Sequence, residues 1–216
     1  MKAQQCGLFL LLAVTVYASE APLPQLRVEA TDGGSVLNVR NPTDQALTAY
    51  LIELVDYPGS SFSFWRDDAA GEPIAPGEER SLPITNMTVG AAPEYVQMRA
   101  VIYADGSTGG ISEKVGQLIE RRRHCLETTR ELVRRFEKAK SDGTSKDALT
   151  AELRQWAESM PQVRRAERNT QRAINQAAAK VLIGDAAARL GGDSLDVTLA
   201  ELKEAECLLA SSKPEL

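Results

Sequence analysis

The chain has 216 residues, of which 43% are hydrophobic, 25% charged and 5% aromatic. Those proportions exclude wholesale disorder, a collagen-like repeat and a protein of many membrane spans. One His and three Cys supply barely the four ligands of a tetrahedral zinc centre, and a formal charge of −5 gives no general attraction to nucleic acid.

The first segment has the form of an export signal. Lys2 provides a positive start, and Cys6 to Ala18 then run for 13 residues without a charge. Such a helix reaches only about 20 Å against a hydrocarbon core of about 30 Å, so it is too short to span. Val16-Tyr17-Ala18 places compact residues before a cut after Ala18, with polar Ser19 and Glu20 beyond it. A cut after Ala21 would put Pro22 just past the scissile bond, and the uncleaved alternative is an N-terminal anchor. A signal peptide over 1–18 predicts a periplasmic or secreted protein that does not span the membrane once cleaved. Cleavage removes Cys6 and leaves Cys125 and Cys207. An even pair in an exported chain permits one disulfide, and two separate thiols are the alternative.

Composition changes near Gly109-Gly110. Residues 22–110 hold 12 acids and 5 bases, a net of −7; residues 111–216 hold 17 acids and 19 bases, a net of +2. The first half reads as β. Leu26, Val28 and Ala30 alternate with polar neighbours, and Asp32-Gly33-Gly34 signals a turn. Val36 to Arg40 resume the alternation, and Asn41-Pro42-Thr43 break it. Leu47 to Val55 are mostly apolar, as a strand covered on both faces would be. Ser61 to Trp65 form a short aromatic strand, and Leu82 and Ile84 belong to another. Val96 to Tyr103 alternate most clearly of all. Six or seven such strands predict an antiparallel immunoglobulin-like sandwich over 22–110.

The second half, 111–212, reads as helices. Val115, Leu118, Ile119, Leu126, Leu132, Val133 and Phe136 recur at three- and four-residue steps in a helix running from a Ser112 cap to about Lys140. Thr144 with Asp147 resembles a capping box before Leu149, Leu153, Trp156 and Met160. Pro161 predicts the opening of an Ala-rich helix that closes at Gly191-Gly192, and Asp193 or Ser194 caps the last. The expected fold class is α+β with segregated halves, the helices making a bundle or a long hairpin. The stripe of the first helix is also long enough for a coiled-coil dimer.

Candidate sites are few. His124 is the only imidazole, and Cys125 beside it points elsewhere on a helix, so a Cys–His dyad is geometrically poor. Arg121, Arg122, Arg123, Arg134, Arg135, Arg164, Arg165 and Arg168 could form a surface for an anionic partner, or a solvated face with i,i+3 and i,i+4 acids. Tyr57, Phe62, Phe64 and Trp65, within the aromatic segment 50–65, could form a platform for a carbohydrate or small ligand; packing between sheets is the competing use. Asp67, Asp68 and Glu72 could sit in a calcium loop or serve a hydrolase, although their spacing fits no EF-hand. Asn86-Met87-Thr88 is a glycosylation sequon. No Gly-Gly pair is followed by the Lys-Ser/Thr of a phosphate loop, and no cofactor is expected. These features predict an exported, non-enzymatic protein acting through contact with a protein partner, another copy of itself included, rather than with nucleic acid. A carbohydrate- or small-ligand-binding module is the alternative.

Overall fold

The computed structural model describes residues 20–32, 34–57, 60–85 and 96–216. The segment 1–18 and the Asn86 sequon lie outside the described residues. Among the described residues seven strands precede four helices, so the fold is α+β with its strands N-terminal and its helices C-terminal. β1 (Gln25–Thr31), β2 (Gly34–Arg40) and β5 (Glu79–Thr85) form one antiparallel sheet in the order β1-β2-β5. β3 (Leu47–Tyr57), β4 (Ser60–Asp67), β6 (Val96–Tyr103) and β7 (Thr108–Gly110) form a second in the order β4-β3-β6-β7. β7 is invisible in the sequence because Thr-Gly-Gly has nothing to alternate.

Side chains that alternate along a strand leave on opposite faces. On β3, Tyr50, Ile52 and Leu54 turn toward the first sheet and share a core with Leu37, Val39, Val101 and Tyr103. Ala49 and Leu51 turn the other way, beside Ala100 and Ile102 of β6. Both faces of β3 are covered, which is why its sequence is apolar almost throughout. Asn41, fully buried, secures the end of β2: its amide donates to the Gln45 and Ile74 carbonyls, and its carbonyl accepts from Thr43.

The helices are α1 (Ser112–Asp142), α2 (Lys146–Ser159), α3 (Gln171–Gly192) and α4 (Leu195–Ser211). No described helix is long and apolar enough to cross a membrane. The α1 stripe is used twice. Val115, Leu118 and Ile119 pack on the outer face of the second sheet. Leu132, Val133, Phe136 and Ala139 then join Leu149 and Leu153 of α2, Ile183 and Leu190 of α3, and Leu199 of α4 in a four-helix core. One chain buries the stripe, so the coiled-coil explanation is corrected: the periodicity needs no second copy.

The helix starts are displaced from their expected positions. Ile111 stands at the α1 cap without a side-chain bond, and Ser112 is already helical. Ser145 rather than Thr144 caps α2, its hydroxyl accepting from the Ala148 N–H. Pro161 opens no helix; a single 3-10 turn (Arg165–Glu167) intervenes, and Thr170 caps α3. Adjacent hydroxyl residues offer the same capping chemistry, so the pattern cannot choose between them. Gly143 ends α1 in the left-handed region (φ 65°), as the Ser-Asp-Gly signal requires.

Tyr50 is fully buried, and its hydroxyl has no hydrogen-bond partner among the described residues. Burial, reinforced by Asp68, pushes the Tyr50 phenol up to about 12, and burial does the same for Tyr103. Folded phenols that keep their protons above the ordinary value of about 10 bind more protons than the unfolded chain, so stability falls as pH rises through 10–12. Spectrophotometric titration should find these two ionising last; ionisation near pH 10 without unfolding would contradict their burial. Tyr50→Phe removes an unsatisfied hydroxyl and should leave stability unchanged or raise it by about 1 kcal/mol, read from the urea midpoint.

Candidate binding groove

Asp67 closes β4 and Asp68 follows it, and the two acids leave the chain on opposite faces. Asp67 turns toward α1, where it accepts from Arg122 Nε at 3.0 Å and Nη2 at 3.1 Å. Arg122 is fully buried, and its other N–H groups reach Thr48 Oγ1 at 3.0 Å and the Lys213 carbonyl at 2.6 Å. Asp68 turns toward the first sheet and accepts from Arg66 Nε at 2.7 Å and from Arg80 Nη1 of β5 at 3.3 Å. Burial raises the Asp68 carboxyl, and the two guanidinium groups only partly offset it. Consecutive residues thus tie β4 to both of its neighbouring layers. Guanidinium groups occupy both carboxylates.

The arginine surface must be redrawn. Arg122 is no surface group at all. Arg123 pairs with Glu120, and Arg134 and Arg135 both pair with Glu131. The Arg135 guanidinium also lies 4.4 Å above the Trp156 ring. Arg164 is exposed, and the Arg165 side chain lies outside the described residues. Half-buried Arg121 and exposed Arg164 and Arg168 have no ion-pair partner among the described residues. Part of the charge difference between the halves is satisfied internally, since Lys114 of α1 lies 3.3 Å from Glu53 and Arg122 holds Asp67.

Arg121 and Arg168 share a place. A cavity of about 360 Å³ lies between β4 and α3, lined by Phe64, Trp65, Arg121, Arg168, Ala177 and Val181 among others. A second, of about 510 Å³, continues it toward α4 and shares Trp65, Arg121, Ala178 and Val181. Small α3 residues leave the space open: Ala178 is buried, whereas Ala177 and Val181 remain exposed. The larger lobe carries both charges, among them Asp185 and the Arg189–Glu201 pair at 2.8 Å. The smaller lobe has two arginines and no acid.

Compared with protein-family models, with curated proteins and with solved structures, the chain matches none. Its site is read from its own chemistry.

Phe64 and Trp65 do not share one face. Phe64 packs into the core between the sheets, its ring 6.5 Å from that of Tyr50. Trp65 leaves on the other face, half-buried against Val115 and Ile119. The side chains of Tyr57 and Phe62 lie outside the described residues. Cys125 and Cys207 are separate thiols, one buried beside Leu126, Ala178 and Leu209, the other exposed on α4. The bridge that the count permits is not formed. Burial pushes the Cys125 thiol up to about 11, away from thiolate chemistry. His124 Nδ1 sits 3.7 Å from Glu127, on the solvent side of α1.

Proposed function

We propose that this is an exported, non-enzymatic protein that works outside the cytoplasm by holding a protein partner in the groove between β4 and α3. The observation that carries the reading is the pairing of a continuous cleft with Arg121 and Arg168, the arginines left unpaired inside it. Trp65 supplies a rigid aromatic wall of the kind that anchors partner contacts. The nucleophile and acid candidates are otherwise engaged: a protonated buried thiol and two carboxylates held by guanidinium.

Export is supported by the short uncharged segment behind Lys2 and by the residues just after it. The Ala21 N–H donates to the Thr108 carbonyl at 2.9 Å, and the Glu20 carboxylate accepts from the Gly110 N–H at 2.8 Å. A cut after Ala18 keeps both bonds; a cut after Ala21 removes them. The β half is assigned to the immunoglobulin-like class. Its support is the strand order β1-β2-β5 against β4-β3-β6-β7, with an apolar core common to the two sheets.

The test begins with the intact mass of the protein from the extracytoplasmic fraction of its host, where a chain starting at Ser19 is expected. Immobilised wild-type protein should then retain a partner from that fraction, and Trp65→Ala and Arg168→Glu should each release it. Because Trp65 also packs on α1, the exposed Arg168 supplies the variant that leaves the fold alone. A full-length cytoplasmic chain, or equal retention by both variants, would overturn the reading.

A further inference from the structure

The partner segment has a recognisable chemistry, and its assignment rests on the binding reading above. Among the described residues, β4 is the outer strand of its sheet. The Asp68 N–H donates to the Thr48 carbonyl at 2.7 Å, which fixes the phase of the antiparallel ladder. Counting back in twos along the register, Arg66–Tyr50 and Phe64–Ile52 are hydrogen-bonded pairs. Trp65 and Ser63 are therefore the intervening residues, whose N–H and C=O groups point outward from the sheet. No backbone partner takes them up among the described residues.

The opposite edge of the same sheet is treated differently. There, Ala21 and Glu20 bond to the Thr108 carbonyl and the Gly110 N–H, so residues of this chain cover β7. Ser63, Phe64 and Trp65 of β4 instead line the cleft, together with Ala173, Ala177 and Ala178 of α3. Two unpaired guanidinium groups flank that opening, at the end where α3 begins and its helix dipole is positive.

We infer that the groove binds an extended acidic peptide, added as a further strand to the β4 edge, with its carboxylates on Arg121 and Arg168. Main-chain bonds to Ser63 and Trp65 provide the affinity, and the arginines choose the sequence.

The probe is a capped seven-residue peptide of alternating Val and Glu, about 23 Å when extended. Its Val/Lys counterpart and an oligogalacturonate are the comparisons. Binding is followed by anisotropy, and amide exchange is read residue by residue. The Val/Glu peptide should bind, and only it should slow exchange at Ser63 and Trp65, leaving Phe64 and Arg66 unchanged. Arg121→Glu with Arg168→Glu should weaken it by about tenfold or more, and so should Val181→Glu, which sets a like charge at an exposed position. Binding of the oligogalacturonate in its place, equal binding of the Lys peptide, or binding without protection of Ser63 and Trp65 would each overturn the inference. So would no binding at all. If the inference fails while the partner retained from the host still depends on Trp65 and Arg168, the binding function stands and only the nature of the segment is wrong.

Discussion

Arg122→Ala should lower the unfolding free energy by about 3–5 kcal/mol, the cost typical of removing one member of a buried ion pair. Truncation strands Asp67, whose side chain is only 6% exposed, with a charge that water can barely reach. It also unbinds the buried Thr48 Oγ1 and the part-buried Lys213 carbonyl. Surface pairs such as Arg134–Glu131 give a contrast, since Arg134→Ala should cost no more than about 1 kcal/mol. Replacing both partners, as in Arg122→Met with Asp67→Leu, should recover much of the loss because no unpaired charge remains. Urea midpoints of the four proteins decide the matter. A loss below about 1 kcal/mol for Arg122→Ala would mean that the pair is solvated and does not clamp the layers.

Gly110→Ala should cost about 2–6 kcal/mol, combining backbone strain of about 1–3 with a steric overlap of similar size. Gly110 has φ 95°, in the region that L side chains rarely enter, and an added Cβ would overlap the Arg99 carbonyl. That carbonyl is already in use, accepting from the Ile111 N–H at 2.8 Å where the chain leaves β7 for α1. Gly143→Ala isolates the strain: φ there is 65°, but nothing lies within 4 Å of the added carbon. It should therefore cost only about 1 kcal/mol. The two variants compared in the same denaturant separate conformation from collision. Equal losses would show that the turn into α1 tolerates a shift of β7.

Much of this fold is legible in the sequence because burial imposes a period. The alternation of Val96–Tyr103 and the three-and-four steps of α1 each report a face that must be covered, and both elements are present. Arg122 was hidden by its neighbours, since three consecutive arginines read as a solvated face. Its position held the missing signal: it stands four residues after Leu118 and four before Leu126, inside the apolar stripe, where a charge requires a buried partner. The consecutive acids at the end of β4 carry a complementary hint, since neighbours in an extended chain cannot serve one site on one face. The groove itself has no local signature. It exists because α3 stands off from an outer strand more than a hundred residues earlier in the chain, and a sequence pattern carries no such distance.

The outer face of the second sheet, where Ala49, Leu51, Ala100 and Ile102 meet α1, bears on how the protein is made. A ribosome delivers the strands first, so this apolar face exists before the helix that covers it has emerged. Through that interval it is a hydrophobic sheet beside an open strand edge, the combination most prone to pairing with another nascent chain. Strand completion and helix docking are then parts of one event. A fragment cut at the compositional border near residue 110 would be left permanently in that exposed intermediate state.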